Sequence, residues 1–222
     1  MYKQEFYHPD TLLSEMLKQN YQLNMTLVLL DIKLGFCPRA KAKEVCAQHN
    51  VSVDLLLFIC NMYSFDEYKT NDYPGSLPFD ESLEYILRVN KYTQKEIFPY
   101  VKQEYKSIEG LLTVSQKNNL EKILADFLEV FNKFFVDFEE VTKEFLKTRE
   151  RLNLLQTRIL FEQIDEIIIL IELMSNTLSK SQASSGNDES YNHFKYYLAF
   201  LMRGLPKHQR ISKYALKPMF SE

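Results

Sequence analysis

The side chains able to do chemistry are few and scattered. Four histidines, His8, His49, His193 and His208, show no HExxH spacing, and no two stand three or four residues apart. A helix-borne zinc pair of the usual kind is therefore excluded. Glu189 and His193 lie four apart and share a helix face, a spacing that serves a surface hydrogen bond as readily as a ligand pair. Glu139, Glu140 and Glu144 read as solvent-face residues unless another helix sets a histidine opposite them. Cys37, Cys46 and Cys60 form no CxxC pair, and three thiols leave one over in any disulfide scheme. Cys37 follows Gly35-Phe36 in what reads as an exposed loop, with Arg39 the cation nearby to favour its thiolate. Five glycines are too few for a phosphate-cradling loop, and no serine nucleophile elbow is present. Enzyme motifs are missing.

The elements that must position any site are helices. Over Ser115–Thr148, apolar residues recur at steps of three and four: Leu120, Ile123, Leu124, Phe127, Phe131, Phe134, Phe135, Phe138, Val141 and Phe145. Over Arg151–Leu178 the same is true of Leu152, Leu155, Ile159, Ile164, Ile167, Ile168, Ile171, Met174 and Leu178. Each is the wide apolar stripe of a helix packed on other helices. Neither stretch holds Gly or Pro, so they read as antiparallel partners joined by a short turn near Lys147–Leu152. Ahead of them, Asp10 or Thr11 suits the cap of a first helix burying Leu12, Leu13, Met16 and Leu17, and a second helix fits Leu23–Leu30. Pro38 suits the first turn of a third helix over Arg39–His49; Asn50 ends it, and Ser52 caps a very apolar fourth over Val53–Tyr63. Lys69–Pro78, with Pro74-Gly75 inside it, reads as a linker. A further helix starts at Asp80 and bends or restarts near Pro99, and a polar loop covers Ser179–Ser190. The last helix, Tyr191–Met202, is expected to stop or kink at Gly204 and Pro206 and to resume as Lys207–Leu216.

Composition agrees with an all-α class. Seven prolines and five glycines in 222 residues favour long helices, and an apolar fraction of 45%, with 16 Phe and 14 Tyr, is ample for a core. A net charge of −3 with both signs interspersed supplies no nucleic-acid footprint. Ala42–Phe58 has the outline of a helix-turn-helix, but its second helix carries Leu55, Leu56, Leu57, Phe58 and Ile59 and no base-reading or phosphate-binding donor, so it is core. The Ile167–Leu173 run contains Glu172 and follows Asp165 and Glu166, which is too short to span a bilayer. With no secretory signal pattern and an odd thiol count, a cytoplasmic location is expected.

Two stretches together resemble a known family. Leu30–Tyr63, with LGFC followed by KEVCAQHNVSVDLLLFICNMY, is similar to the small N-terminal domain of iron–sulfur-cluster-repair di-iron proteins. His208-Gln209-Arg210-Ile211-Ser212-Lys213, closing on Leu216-Lys217-Pro218, is similar to the last helix of hemerythrin-like cation-binding domains. The resemblance implies a small helical domain over residues 1–70 followed by an up-down-up-down four-helix bundle over residues 79–222. It also implies a di-iron centre held by histidines and carboxylates projecting from all four helices. This sequence departs from that ligand set. Asn90 stands in the first-helix position, Glu144 and Thr148 replace the histidine and carboxylate of the second helix, Asp165 falls on the third-helix histidine, and Ser212 on the last carboxylate. Only His208 matches, and Cys37 is followed by Pro38 rather than a second cysteine.

Two readings stay open at this level. In one, the chain is a degenerate hemerythrin-like protein, a non-catalytic regulatory or interaction module that takes a protein partner through an exposed apolar patch on Val53–Tyr63 or on the Tyr191–Phe200 face. In that case Asn90, Glu144, Asp165 and His208 form a buried polar cluster or face water. In the other, those four residues bind one Fe, Mn or Zn ion, and the protein is a redox or stress sensor or an iron–sulfur-repair protein. A buried Glu144–Asp165 pair without a cation would be costly, which is the argument for a metal between them. Oligomeric state is not legible, and neither nucleic acid nor membrane is an expected partner.

Overall fold

Long 3–4 periodic stretches with little Gly or Pro to interrupt them favour burial of apolar residues between helices, and the described residues form an all-helical structure. A computed structural model describes residues 6–33, 39–70, 73, 75–179 and 189–220. Cys37, Pro38 and the polar loop over residues 180–188 lie outside the described residues. The helices are α1 Leu13–Gln19, α2 Leu23–Leu29, α3 Ala42–His49, α4 Val53–Ser64, α5 Phe79–Tyr92, α6 Phe98–Ile108, α7 Val114–Thr148, α8 Leu154–Ser179 and α9 Glu189–Ala215. A π turn over Thr93–Ile97 joins α5 to α6, and single 3-10 turns follow α6 and α9. Among the described residues there is no strand, only isolated bridges, and no helix is long and apolar enough to cross a membrane.

The chain divides into two compact units. The first comprises residues 1–89 and 210–217, the second residues 90–209 and 218–222. The division thus falls within α5 and α9, and the linker expected over residues 69–78 lies inside the first unit. The reason is the apolar face of α5, where Leu83, Tyr85 and Ile86 are buried.

In the first unit the organising element is α4. Ser52 Oγ accepts from Leu55 N at 3.3 Å, as a helix N-cap should. Every residue from Leu55 to Met62 is buried, the behaviour of a helix apolar all round. The helix-turn-helix outline of α3 and α4 is therefore core packing, and α4 offers no exposed apolar patch. Asn50 takes the left-handed conformation (φ 54°) that ends α3. Within α4, buried Asn61 accepts from Tyr7 N at 2.8 Å and returns a bond to Tyr7 O at 3.1 Å, pinning the segment ahead of α1. The expected side-chain cap on α1 is absent. Thr11 Oγ1 accepts from His8 N instead, the helix starts one residue later, and Leu13 and Met16 are its buried residues while Leu12 and Leu17 are half-buried.

In the second unit, α7 and α8 pack along each other as a helical hairpin. Both start on a reciprocal capping pair. Thr113 Oγ1 accepts from Gln116 N while Gln116 Oε1 accepts from Thr113 N at 3.0 Å. Asn153 and Gln156 do the same at 2.9 and 3.1 Å. Arg149, left-handed at φ 58°, closes α7 and starts the turn. The π turn answers a local problem: Pro99 lacks an N–H, and its ring would meet the carbonyl of Lys95 in a regular α-helix, so the backbone widens there. Pro206, by contrast, does not end α9. The helix runs through Gly204 and Pro206 without a break, losing one backbone bond.

The core stripe of α7 is as the periodicity predicts, with Leu120, Leu124, Phe127, Phe131, Phe134, Phe138 and Phe145 buried, but Thr142 sits on it too. On α8 the buried apolar residues are Leu160, Ile164, Ile167, Leu170, Ile171, Met174 and Leu178, and Gln163 is buried beside them. Leu155 and Ile159, expected on that stripe, are exposed instead. They belong to a second apolar row on the opposite face.

Candidate functional site

Polar residues are buried on several helices of the second unit, and Asn90, Thr93 and His208 among them form one layer around a small cavity. Asn90 closes a turn of α5 four residues after Ile86, Thr93 opens the π turn, Thr142 comes from α7, Gln163 from α8, and His208 and Gln209 from α9; all are buried. Each stands where an apolar stripe would otherwise continue.

At its centre His208 Nε2 donates to Asn90 Oδ1 at 3.0 Å, a contact between residues 118 apart in sequence. Around the pair, Thr93, Phe131, Phe134, Ile164, Ile167 and Leu205 close a cavity of about 10 Å³. That is room for about one water molecule and for no organic substrate. No charged residue lines it. Burial alone therefore acts on the imidazole and holds its pKa down at about 4, so His208 is neutral at pH 7. Asn90 Nδ2, Thr142 Oγ1 and Gln163 Oε1 are buried without a protein hydrogen-bond partner.

The rim of the layer is acidic. Gln163 Nε2 donates to Asp137 Oδ2 at 2.6 Å, and Gln209 Nε2 donates to Asp165 Oδ1 at 2.7 Å. Of the four residues singled out in the sequence, the structure brings Asn90 and His208 into contact. It sets Asp165 at an exposed position, tied to Gln209, and leaves Glu144 exposed on α7. The buried Glu144–Asp165 pair that would have demanded a cation does not form. Thr142, Gln163 and Gln209 were not anticipated. The signal was available for Thr142, which falls four residues after Phe138 and three before Phe145 on an otherwise apolar stripe.

The donors around His208 are a poor set for a metal centre. One imidazole, one amide and one hydroxyl line the cavity, without a carboxylate, whereas a di-iron centre in a helical bundle is built from several carboxylates and histidines. A divalent ion here would sit in a closed apolar shell with no anionic ligand to offset its charge. Among the described residues no group of three or more His, Cys, Asp or Glu is placed to hold a metal ion. The residues present do not fit the group.

A larger cleft lies in the first unit, about 180 Å³, between α2, α3 and α5. Its charged groups are already engaged. Arg88 pairs with Asp31 at 2.7 Å and with Glu84, and donates to Leu29 O, while Glu81 accepts from Ser52 N at 2.8 Å. At that volume it falls below the range of about 300–1,000 Å³ in which ligand pockets are found.

No protein-family model, no curated protein and no solved structure matches this chain.

Proposed function

We propose that the chain is a degenerate hemerythrin-like four-helix bundle with a small helical domain ahead of it, acting as a non-catalytic regulatory or interaction module. The observation that carries this reading is the character of the buried layer. At the level where a metal-binding bundle concentrates charged ligands, this chain holds a neutral His208–Asn90 pair in a cavity of about 10 Å³. Such a layer orders helices relative to each other; it offers neither room for a substrate nor an ionised acid, base or nucleophile. The resemblance of the first and last stretches to the iron–sulfur-repair family supports descent from a metal-binding bundle, and the substitutions Asn90, Glu144, Asp165 and Ser212 are what a lost centre leaves behind.

The test is elemental analysis of protein purified without chelator or affinity metal, with the near-UV and visible absorption spectrum recorded beside it. Sub-stoichiometric metal and a featureless spectrum above the aromatic band are expected. One equivalent of Fe, Mn or Zn that disappears in His208→Ala would replace this reading with that of a mononuclear sensor. Two equivalents of iron would restore the di-iron chemistry.

A further inference from the structure

The outward face of α8 is built for a second helix. Its exposed apolar residues are Leu155 (67% exposed), Ile159 (40%), Ile169 (54%) and Leu173 (46%), and between them on the same face stand exposed Glu162 and Glu166. These six recur at steps of 4, 3, 4, 3 and 4, the d-a-d-a-d-a spacing of a coiled-coil seam sustained over about 27 Å of helix. The core stripe of α8, Leu160 to Leu178, has the same spacing on the opposite side, so the helix carries two seams and its own fold covers one.

The outer seam reads the same in both directions: Leu, Ile, Glu, Glu, Ile, Leu, centred on Ile164. We propose that α8 pairs antiparallel with α8 of a second copy of this chain about a two-fold axis at Ile164. Leu155 then faces Leu173 of the second copy, Ile159 faces Ile169, and Glu162 faces Glu166. Each layer sets an a position over a d position, as antiparallel coiled coils require, and the contact is isologous. Charge selects this orientation. Arg158 flanks the seam beside Glu172 of the second copy, once on each side of the axis, whereas parallel pairing would leave Arg158 without an acid of the second copy at that level. The acids fix the register. A slip of one heptad would bury Glu162 or Glu166 under an aliphatic side chain, so only the centred alignment keeps carboxylates with carboxylates. The cost is affinity. Four glutamates gather at the axis with Asp165 near them, and Arg158, already 2.6 Å from Glu162, offsets part of that charge. A seam of this length with an acidic centre gives a weak, concentration-dependent dimer rather than an obligate one. The pairing uses the solvent face of α8 and holds whether or not the buried layer takes a metal.

Sedimentation velocity of the full chain from micromolar to millimolar concentration tests it, with circular dichroism as a check on folding, which exposed substitutions should leave unchanged. The wild-type chain is expected to dimerise reversibly. Ile169→Glu should weaken the dimer by about tenfold or more, and Glu162→Leu with Glu166→Leu should tighten it by a similar factor. Arg158→Glu should weaken it, and adding Glu172→Arg to that variant should restore it, which only the antiparallel register predicts. A chain that stays monomeric at every concentration, in the wild type and in the Glu162→Leu/Glu166→Leu variant alike, overturns the proposal. So does a dimer indifferent to Ile169→Glu, a charge swap that restores nothing, or occupation of this face by a different protein while the chain itself remains monomeric.

Discussion

His208 makes the stability of the protein depend on pH in a way that can be isolated. Burial holds its folded pKa at about 4 against 6.5 for an ordinary imidazole, and no charged group lines its cavity. Between those values the unfolded chain binds a proton that the folded chain refuses. The unfolded state then holds more protons, and stability falls as pH drops. The sign follows: the penalty is absent above about pH 7, grows through the window from 6.5 to 4, and levels off below 4. Its slope approaches about 1.4 kcal/mol per pH unit in mid-window and its sum is about 3 kcal/mol, a large share of the ~5–15 kcal/mol that keeps a domain folded. The comparison is with His208→Gln, which keeps a donor toward Asn90 Oδ1, has no proton to gain and shares every other titrating group with the wild type. Urea unfolding of both proteins at pH 7.5, 6.5, 5.5 and 4.5 gives the difference directly. The wild type should lose about 2–3 kcal/mol more than the variant between the ends of that series. Parallel loss in the two proteins would mean that His208 is solvated or charged in the folded state, and the account of the buried layer as neutral would fall with it.

Three further outcomes follow from single contacts. Thr142→Val removes a hydroxyl that is buried without a partner and keeps the side chain's shape, so it should raise stability by about 1 kcal/mol, read as an increase in Tm; a decrease would mean the hydroxyl is satisfied. Asn61→Ala strips both hydrogen bonds from the buried backbone of Tyr7 and should cost about 1–3 kcal/mol, with faster proteolysis or amide exchange ahead of α1 as the local signature; unchanged exchange there would show that Asn61 does not pin the segment. Burial pushes the Cys46 thiol up to about 12 and the Cys60 thiol further, so both should resist iodoacetamide in the folded protein and react only on unfolding, as peptide mapping would show; modification of either in the native state would contradict their burial.

The helices themselves were legible because their signals are local. Ser52 ahead of a run of apolar residues announced α4, and the Phe ladder from Phe127 to Phe145 announced the buried face of α7. Where the reading failed, a non-local choice decided. On α8 two apolar rows share one helix, and periodicity cannot say which faces the fold. The expected stripe mixes them, taking Leu155 and Ile159 from the outer row and Ile164 from the inner one, and packing selects the row through Leu160 and Ile164. Pro206 looked like a break, yet α9 has buried residues on both sides of it, Leu201 before and His208 after, and their packing outweighs one missing backbone bond. On the Tyr191–Phe200 face, Tyr191, Phe194 and Leu198 are buried, as is Leu201 just beyond it, while Tyr197 is half-buried. Of the candidate site, the meeting of Asn90 with His208 came from family pattern, and no spacing argument reaches across 118 residues. Glu144 and Asp165 were placed by the same pattern on helices whose rotation it could not fix.

The polar layer inside the second unit and the acidic centre of the outer α8 seam follow one physical logic. Uniformly apolar stripes at 3–4 spacing pack almost equally well when one helix slides a turn along another, because Leu, Ile and Phe accept any apolar neighbour. A polar residue ends that degeneracy. With Asn90 bonded to His208 at 3.0 Å, sliding α9 by a turn would bring an aliphatic residue against the amide and leave both polar groups buried and unsatisfied. On the outer face Glu162 and Glu166 penalise every register but the centred one, at the expense of affinity. In this chain the neutral pair His208–Asn90 supplies that register, and beside it Gln163 and Gln209 are held by Asp137 and Asp165.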